Sequence, residues 1–230
     1  MKNLNIIHGD IKPENILLSN NGIHQVKLID FGTSCFNGND KNYSYIQSRF
    51  YRAPEVAFGY KYSFPIDIWS LGCVLCELFK GKPIFDGENE RDLIYSIMEY
   101  LESPPTSFIM NSPRRQFFFT EEGEQYDEPN SRGIYRTPKS KTLGWFLKGA
   151  DYYFIDFVKR CLRWLPDNRH TPEQALMHPW IIKDMTSDQL FTHKRKIVRI
   201  SKGWSKMDQI KKEKKITSFF NLYTSLNSYN

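Results

Sequence analysis

The sequence predicts a mainly α-helical domain with one short β-hairpin near its beginning. Three observations lead to this prediction. One helical run, residues 65–79, is apolar nearly all round; two others, 89–101 and 151–165, are apolar on one face; and two short β-prone segments flank Asn20-Asn21-Gly22. With 230 residues, 40% of them hydrophobic, the chain has enough material for one domain with a sizeable core.

The hairpin comes first in the chain. Ile16-Leu17-Leu18 and Val26-Lys27-Leu28-Ile29 are rich in strand-forming residues and are separated by a turn sequence. Residues 33–60 contain scattered Gly, Asn and Pro without periodicity, and we expect a loop there.

The run 65–79 predicts a helix that is buried on every side, because it has no polar face to present to water. Pro65 suits its first turn and Gly81 suits its end. Cys73 and Cys76 form a C-x-x-C pair inside this run. With no second pair and no His at ligand spacing, they are better interpreted as core thiols than as a metal or redox pair.

Amphipathic helices are predicted after it. The helix at 89–101 is stopped by Pro104-Pro105, and residues 103–149 have weak periodicity, typical of an irregular insert. Asp151 is a good N-cap for the next helix. Thr171-Pro172-Glu173-Gln174 has the pattern of a capping box with Pro at the first position.

The formal net charge of +6 arises largely from the end of the chain. Lys and Arg are concentrated after Lys183, so we expect residues 184–230 to form a basic tail that is loosely helical or disordered. A basic segment at the end of a chain is more often a solvated tail than a segment that recognises nucleic-acid bases. We therefore expect no nucleic-acid partner. The tail could still bind another kind of partner.

Membrane insertion and secretion are not expected from the sequence. No stretch approaches the roughly 18 apolar residues of a membrane span, and the first residues do not resemble a signal peptide. The four cysteines follow no secreted disulfide framework. We therefore expect an intracellular protein, in the cytoplasm or the nucleus.

Three motifs occur in order along the chain. His8-Gly9-Asp10-Ile11-Lys12-Pro13-Glu14-Asn15 precedes the predicted hairpin, Asp30-Phe31-Gly32 follows it, and Ala53-Pro54-Glu55 comes next. Together they resemble the catalytic loop, the DFG motif and the end of the activation segment of protein kinases. Lys-Pro-Glu-Asn is the form usual in serine/threonine kinases.

The resemblance implies a role for each polar residue of these motifs. Asp10 would accept the proton of the substrate hydroxyl, and Lys12 would place positive charge at the transferring phosphate. Asn15 and Asp30 would hold Mg²⁺ together with ATP, because carboxylate and amide oxygens are the ligands that this cation prefers.

Four further residues match structural positions of the family. His8 would brace the catalytic loop. Asp67, in Asp67-Ile68-Trp69-Ser70-Leu71-Gly72, would accept hydrogen bonds from the backbone of that loop. Glu55 and Arg169 would form the pair that ties the activation segment to the rest of the domain.

The segment from Tyr43 to Glu55 is similar to that of the dual-specificity tyrosine-regulated (DYRK) family of the CMGC group. The resemblance implies that Tyr45 is autophosphorylated and that Arg49 and Arg52 clamp its phosphate. Gly9 stands where most kinases have Arg and this family usually has Cys. Residues 142–149 and His178-Pro179-Trp180 resemble the second subclass of the family.

The resemblance covers roughly residues 4–183, and it implies that residues 1–183 form a kinase C-terminal lobe with an insert at 103–149. The glycine-rich loop, strand lysine and helix glutamate of a kinase precede its catalytic loop, so we expect the N-terminal lobe to be absent from this chain. Helix 65–79 would then leave apolar surface bare.

Three hypotheses remain open from the sequence. The first is a truncated protein kinase that acts on Ser/Thr of protein substrates and is inactive by itself. The second is a kinase-like, non-catalytic module that binds proteins. The third is a nucleic-acid or membrane-surface binder that uses the basic tail.

Overall fold

The computed structural model describes residues 1–18, 25–38 and 46–201. Two small antiparallel sheets lie near the N-terminus. Their strands are β1 (Ile6–Ile7), β2 (Ile16–Leu18), β3 (Val26–Leu28) and β4 (Cys35–Phe36), with β1 paired to β4 and β2 paired to β3. The β2–β3 hairpin was predicted from the sequence and is confirmed, while its turn lies outside the described residues.

Helices make up most of the remaining structure. They are α1 (Pro54–Ala57), α2 (Pro65–Lys80), α3 (Glu90–Leu101), α4 (Thr106–Met110), α5 (Arg115–Phe118), α6 (Leu143–Phe146), α7 (Tyr152–Cys161), α8 (Pro172–Leu176), α9 (Pro179–Ile182) and α10 (Ser187–Ser201). Single 3₁₀ turns lie at Lys2–Leu4, Pro13–Asn15, Arg49–Tyr51 and Pro166–Asn168. None of the described helices is long and apolar enough to span a membrane.

Helix α2 is the centre of the core, as its sequence predicted. Pro65 occupies the first turn, and Gly81 ends the helix with a φ of 77°, donating its N–H to the carbonyl of Glu77. Trp69 is completely buried and stacks on Phe85. Helix α7 packs against α2 at Gly72, where an added Cβ would lie 2.8 Å from the Cβ of Cys161.

The expectation that α2 would leave apolar surface bare is wrong for most of its length. The apolar residues of its first three turns are buried or half-buried, α7 and the Arg49–Tyr51 turn both contact it, and the exposed apolar residues lie only in the last turn. There Leu78 is 68% exposed and Phe79 44% exposed. The bare apolar surface is larger on the hairpin, where Leu17, Leu18 and Val26 face outward.

Residues 103–149 contain three short helices among loops and contribute to the core. Phe118 and Phe119 are completely buried and pack against Phe58, which follows α1. Arg136 is buried and donates to Asp92 and Glu99 of α3. Ion pairs and aromatic packing therefore fix this region, and neither has a helical period that would appear in the sequence.

The predicted helix starts are confirmed at the atomic level. The Asp151 carboxylate accepts hydrogen bonds from the N–H groups of Tyr153 and Phe154 at the start of α7. Thr171 and Gln174 form the reciprocal capping box at α8.

The cysteines of α2 are buried, and burial raises the pKa of both the Cys73 and the Cys76 thiols. Within the described part of the chain, no group of three or more His, Cys, Asp or Glu side chains could hold a metal ion by itself. After Lys183 the chain forms helix α10, which docks against α8 through the ring of His193 on the carbonyl of Leu176.

Candidate active site

The catalytic-loop sequence connects β1 to β2 and rests on the first turn of α2. The Asp67 carboxylate accepts hydrogen bonds from the backbone N–H of His8 at 2.8 Å and of Gly9 at 3.0 Å. Burial raises the pKa of Asp67, and these two donors act in the opposite direction because they favour its charged form. The carboxylate thus supplies the hydrogen-bond acceptors that a neighbouring strand would supply in a sheet, for two N–H groups of irregular backbone.

Gly9 adopts a left-handed conformation with a φ of 77°. A Cβ at this position would lie 2.6 Å from the Cδ1 atom of Ile46 and 3.2 Å from the carbonyl oxygen of Thr33. The loop and the activation segment therefore approach each other more closely here than a side chain would allow.

The His8 ring contacts both its own loop and the segment that follows the hairpin. Its Nδ1 atom accepts from the backbone N–H of Asp10 at 3.2 Å, and its Nε2 atom lies 3.1 Å from the carbonyl of Ile29. The ring also packs on Phe31, with centroids 4.9 Å apart. One imidazole therefore joins the loop to the segment that contains the DFG motif.

Asp10 lies among donors that stabilise its charged form. Its Oδ2 atom is 2.8 Å from Nζ of Lys12, and its Oδ1 atom accepts from the hydroxyl of Ser48 at 2.7 Å and the N–H of Ser48 at 3.1 Å. Burial raises the pKa of Asp10, but the hydrogen bonds from Lys12 and Ser48 outweigh it and hold the pKa below its usual value. Asp10 is therefore ionised at neutral pH.

Lys12 lies between Asp10 and the activation segment. Its ammonium group also donates to the Ser48 hydroxyl at 3.1 Å. The hydrogen bond with Asp10 raises the pKa of Lys12, and the charge of Asp30 contributes in the same direction. Lys12 thus remains cationic, with the carboxylates of Asp10, Glu14 and Asp30 in its vicinity.

Asn15 and Asp30 have oxygen atoms that suit a magnesium ion. Both hydrogen bonds recorded for the Asn15 side chain use its amide nitrogen, which donates to Asp10, so its amide oxygen remains available as a ligand. Asp30 is exposed and accepts one weak hydrogen bond, from the N–H of Gly32. Mg²⁺ that arrives with nucleotide phosphates needs only one or two such protein ligands, and this donor set fits it.

The two activation-segment arginines extend toward the start of α3. Arg52 is 1% exposed; it donates to the carbonyls of Ile46 and Gln47 and pairs with Glu90 at 2.8 Å. Arg49 donates to the carbonyl of Glu88 at 2.5 Å. The predicted phosphosite Tyr45 and the neighbouring Tyr43 lie outside the described residues.

Gln47 and Ser48 are site residues that sequence reasoning missed. Gln47 has a φ of 69°, and its buried amide donates to the carbonyl of Ile66 and the hydroxyl of Ser70 while accepting from the N–H of Ala53. A positive φ at a residue other than glycine has no sequence pattern of its own. The contacts of Ser48 with Asp10 also depend on a bend of the chain that no local pattern predicts.

Glu55 and Arg169 form a buried, bidentate ion pair. The two guanidinium nitrogens Nη1 and Nη2 lie 2.7 and 2.6 Å from the carboxylate oxygens, although the residues are 114 positions apart. The guanidinium also lies over the Trp69 ring, 5.1 Å from its centroid. The predicted partners are therefore brought together.

A protein-kinase-domain family model matches residues 1–181. The chain therefore belongs to the protein kinase family. It is 52% identical over 176 residues to dual specificity tyrosine-phosphorylation-regulated kinase 4 of Homo sapiens, which places it in the DYRK branch. This match covers 76% of the chain and 34% of that kinase.

Other members of the family match to a similar degree. The chain is 49% identical to dual specificity tyrosine-phosphorylation-regulated kinase 2 of Drosophila melanogaster, over 77% of the chain and 24% of that protein. It is 47% identical to the DYRK-family kinase pom1 of Schizosaccharomyces pombe, over 76% of the chain and 16% of that protein. The chain thus spans about a third or less of the length of these kinases.

Proposed function

We propose that these residues form the C-terminal lobe of a protein kinase that transfers the γ-phosphate of ATP to Ser or Thr of protein substrates. Residues 1–183 would be the lobe, 103–149 an insert, and 184–230 a basic tail that could bind a partner. Contacts above the nucleotide would come from an N-terminal lobe. We propose that this kinase is soluble and intracellular, in the cytoplasm or the nucleus. Neither nucleic acid nor a membrane is proposed as its partner.

The observation that carries this proposal is the environment of Asp10. An ionised carboxylate faces Lys12, with the amide of Asn15 on one side and the hydroxyl of Ser48 on the other. In phosphoryl transfer the protein mainly positions groups and compensates charge, and a carboxylate accepts the proton of the attacking hydroxyl. Asp10 can take that proton because Lys12 and Ser48 keep it charged until then.

The remaining residues would divide the other tasks. Lys12 would stabilise charge on the transferred phosphate, and Asn15 and Asp30 would hold Mg²⁺, which neutralises charge on the phosphate oxygens when it is bound. His8, Asp67, Glu55 and Arg169 would act by positioning the loop and the activation segment.

The catalytic assignment is tested by Asp10→Asn in the full-length gene product, with Asp127→Asn as a control for the same change at an exposed site. We expect phosphate transfer to a protein substrate to fall by about 10³-fold or more, with nucleotide affinity nearly unchanged, because Asp10 aims the acceptor and not the nucleotide. Turnover of Asp10→Asn within tenfold of the control would refute the assignment.

We also propose that Tyr45 is phosphorylated by the enzyme itself and that Arg49 and Arg52 hold the phosphate. Support comes from the Tyr-x-Tyr sequence and from the two guanidinium groups at the end of the segment. Mass spectrometry of the protein made in bacteria should find phosphate on Tyr45, and Tyr45→Phe should lower activity. A fully active preparation with unmodified Tyr45 would contradict this.

Residues 1–230 by themselves should transfer no phosphate. Among the described residues, only the catalytic-loop groups and Asp30 are placed to meet the phosphates, and transfer depends on donors that enclose them and exclude water. The measurement is incorporation of labelled phosphate from ATP with magnesium into a basic protein. Activity that disappears on Asp10→Asn would show that this chain completes its site in another way.

A further inference from the structure

Two histidines lie close together where α7, α8 and α9 meet. The first, His178, is buried and caps α9, because its Nδ1 atom accepts from the N–H of Trp180 at 3.2 Å. Its Nε2 atom lies 2.9 Å from a carboxylate oxygen of Asp156. The same oxygen accepts from Nε of Arg160 at 2.8 Å. Both nitrogens of the His178 ring therefore have a partner.

The second histidine, His170, is placed differently, just before the residue that caps α8. Its backbone N–H donates to the carbonyl of Arg160 at 3.0 Å. Its ring packs near the rings of Phe157 and His178, with centroids 6.1 and 5.4 Å away. Its Nε2 atom is buried and has no hydrogen-bond partner among the described residues. One nitrogen of this ring is thus shielded from water without an acceptor.

Protonation of His170 conflicts with this placement. A charged imidazole has an N–H on both of its nitrogens, so Nε2 would become a hydrogen-bond donor. A buried charged donor without an acceptor is unfavourable. The ring can satisfy this donor only by moving out of its position toward water.

The groups around the ring also oppose its protonation. Burial lowers the pKa of His170, and the proximity of His178 and Arg160 lowers it further, while Asp156 and the side chain of Gln174 act in the opposite direction. The Asp156 carboxylate is already shared by Arg160 and His178. In the unfolded chain a histidine has a pKa of about 6.5, so the unfolded state takes up this proton at a higher pH than the folded state does.

We propose that His170 is an acid-sensitive latch that holds α8 and α9 on α7, and that acidification below about pH 6.5 releases residues 170–182. The stabilisation is complete above the pKa of the unfolded chain and is lost as the pH falls through that of the folded ring. Arg169 directly precedes the latch, so release would also loosen its pair with Glu55. Helix α10, which docks on the carbonyl of Leu176, would lose its support.

Amide hydrogen exchange of the full-length gene product at pH 7.5 and pH 5.5 tests the latch, because it follows each element separately and needs no kinase activity. The observed rates are divided by those of unstructured peptides at the same pH to give protection factors. The test variant is His170→Phe, which keeps a ring beside Phe157 and cannot take up a proton. The control is His193→Gln, which removes a histidine of α10 and leaves the cluster intact.

We expect the protection of residues 172–182 in the natural protein to fall about three- to tenfold between the two pH values, since one bound proton changes an equilibrium at most tenfold per pH unit. Residues 93–98 of α3, the internal reference, should change less than twofold. In His170→Phe the protection of residues 172–182 should also change less than twofold, whereas the His193→Gln control should respond as the natural protein does.

Three results would overturn the proposal. They are equal protection of residues 172–182 at both pH values in the natural protein, an equal fall in His170→Phe, and an equal fall in α3, which would indicate general acid destabilisation. If His170→Phe already lowers protection at pH 7.5, the comparison is made with His170→Asn, which keeps a polar group near Gln174. In ¹H–¹³C NMR the His170 ring should titrate below pH 6.5, and a midpoint at or above this value would exclude the latch.

Discussion

The catalytic loop and the activation segment are both irregular stretches of chain, but they are held in different ways. The loop is held by backbone hydrogen bonds to one buried carboxylate, Asp67, and by the imidazole ring of His8. The segment is held by the amide of Gln47 and, in addition, by ion pairs, Arg52 with Glu90 and Glu55 with Arg169. An arrangement fixed by charge responds to added charge, whereas one fixed by backbone donors does not.

This comparison predicts where stability resides. Arg169→Met leaves the buried Glu55 carboxylate without its partner, and we expect the free energy of unfolding to fall by about 3–5 kcal/mol. The control is Arg160→Met, which removes a half-exposed partner of Asp156 and should cost less than about 1 kcal/mol. Urea unfolding of both variants measures the difference, and equal losses would contradict the view that the segment is anchored by the buried pair.

A smaller effect is expected at the anchor of the catalytic loop. Asp67→Ala leaves the N–H groups of His8 and Gly9 without an acceptor, which should cost about 1–3 kcal/mol of stability. Because the loop positions Asp10, turnover should fall more than nucleotide affinity does. A variant with lower stability but normal turnover would show that the loop holds its shape without α2.

Glu90→Gln tests the response of the segment to charge. Glu90 neutralises Arg52 and also pairs with Arg114 at 2.7 Å, so the substitution keeps its shape and removes its charge. In a Tyr45→Phe background we expect kcat/KM to fall about 3–10-fold, since no phosphate can replace the lost carboxylate. With Tyr45 phosphorylated the loss should be smaller, and Glu124→Gln should have no effect in either background. Equal losses in the two backgrounds would disprove the coupling.

The smallest effect concerns pH. Ser48→Ala removes one hydrogen bond that lowers the pKa of Asp10, so this pKa should rise. The base form is lost as the pH falls through the pKa, and the acid limb of the kcat profile should therefore move to higher pH. Turnover at pH 7 should change little, because Asp10 stays ionised there. Ser107→Ala, at an exposed position, is the control, and a profile identical to that control would exclude the assigned role of Ser48.

Local sequence patterns were sufficient to predict the elements that have a clear periodicity or a capping residue. Helix α2, the cap of α7 at Asp151 and the β2–β3 hairpin each have a periodicity or a capping residue within a few positions. The β1–β4 pair was not predicted, because two-residue strands are too short for any period to appear. Their pairing depends on residues about 30 positions apart along the chain meeting in the fold.

In the candidate site, too, some residues could be predicted from local sequence patterns and others could not. Asp10, Lys12, Asn15 and Asp30 could be named because their spacing matches a known motif. Gln47 could not, since its role depends on backbone dihedrals and on acceptors that belong to α2. The ion pair of Arg52 with Glu90 was not expected either, because neither charge indicates its partner in the sequence.

The Glu55–Arg169 pair also bears on how the chain folds. The two residues are separated by 114 positions, so forming the pair requires closing a long loop of chain. We expect this step to be slow compared with forming the hairpin or a single helix. We expect the activation segment to stay unanchored until α7 and the loop after it have docked on α2. Refolding should then show fast recovery of helical signal and a later step in tryptophan fluorescence, reported by Trp69 beneath the Arg169 guanidinium.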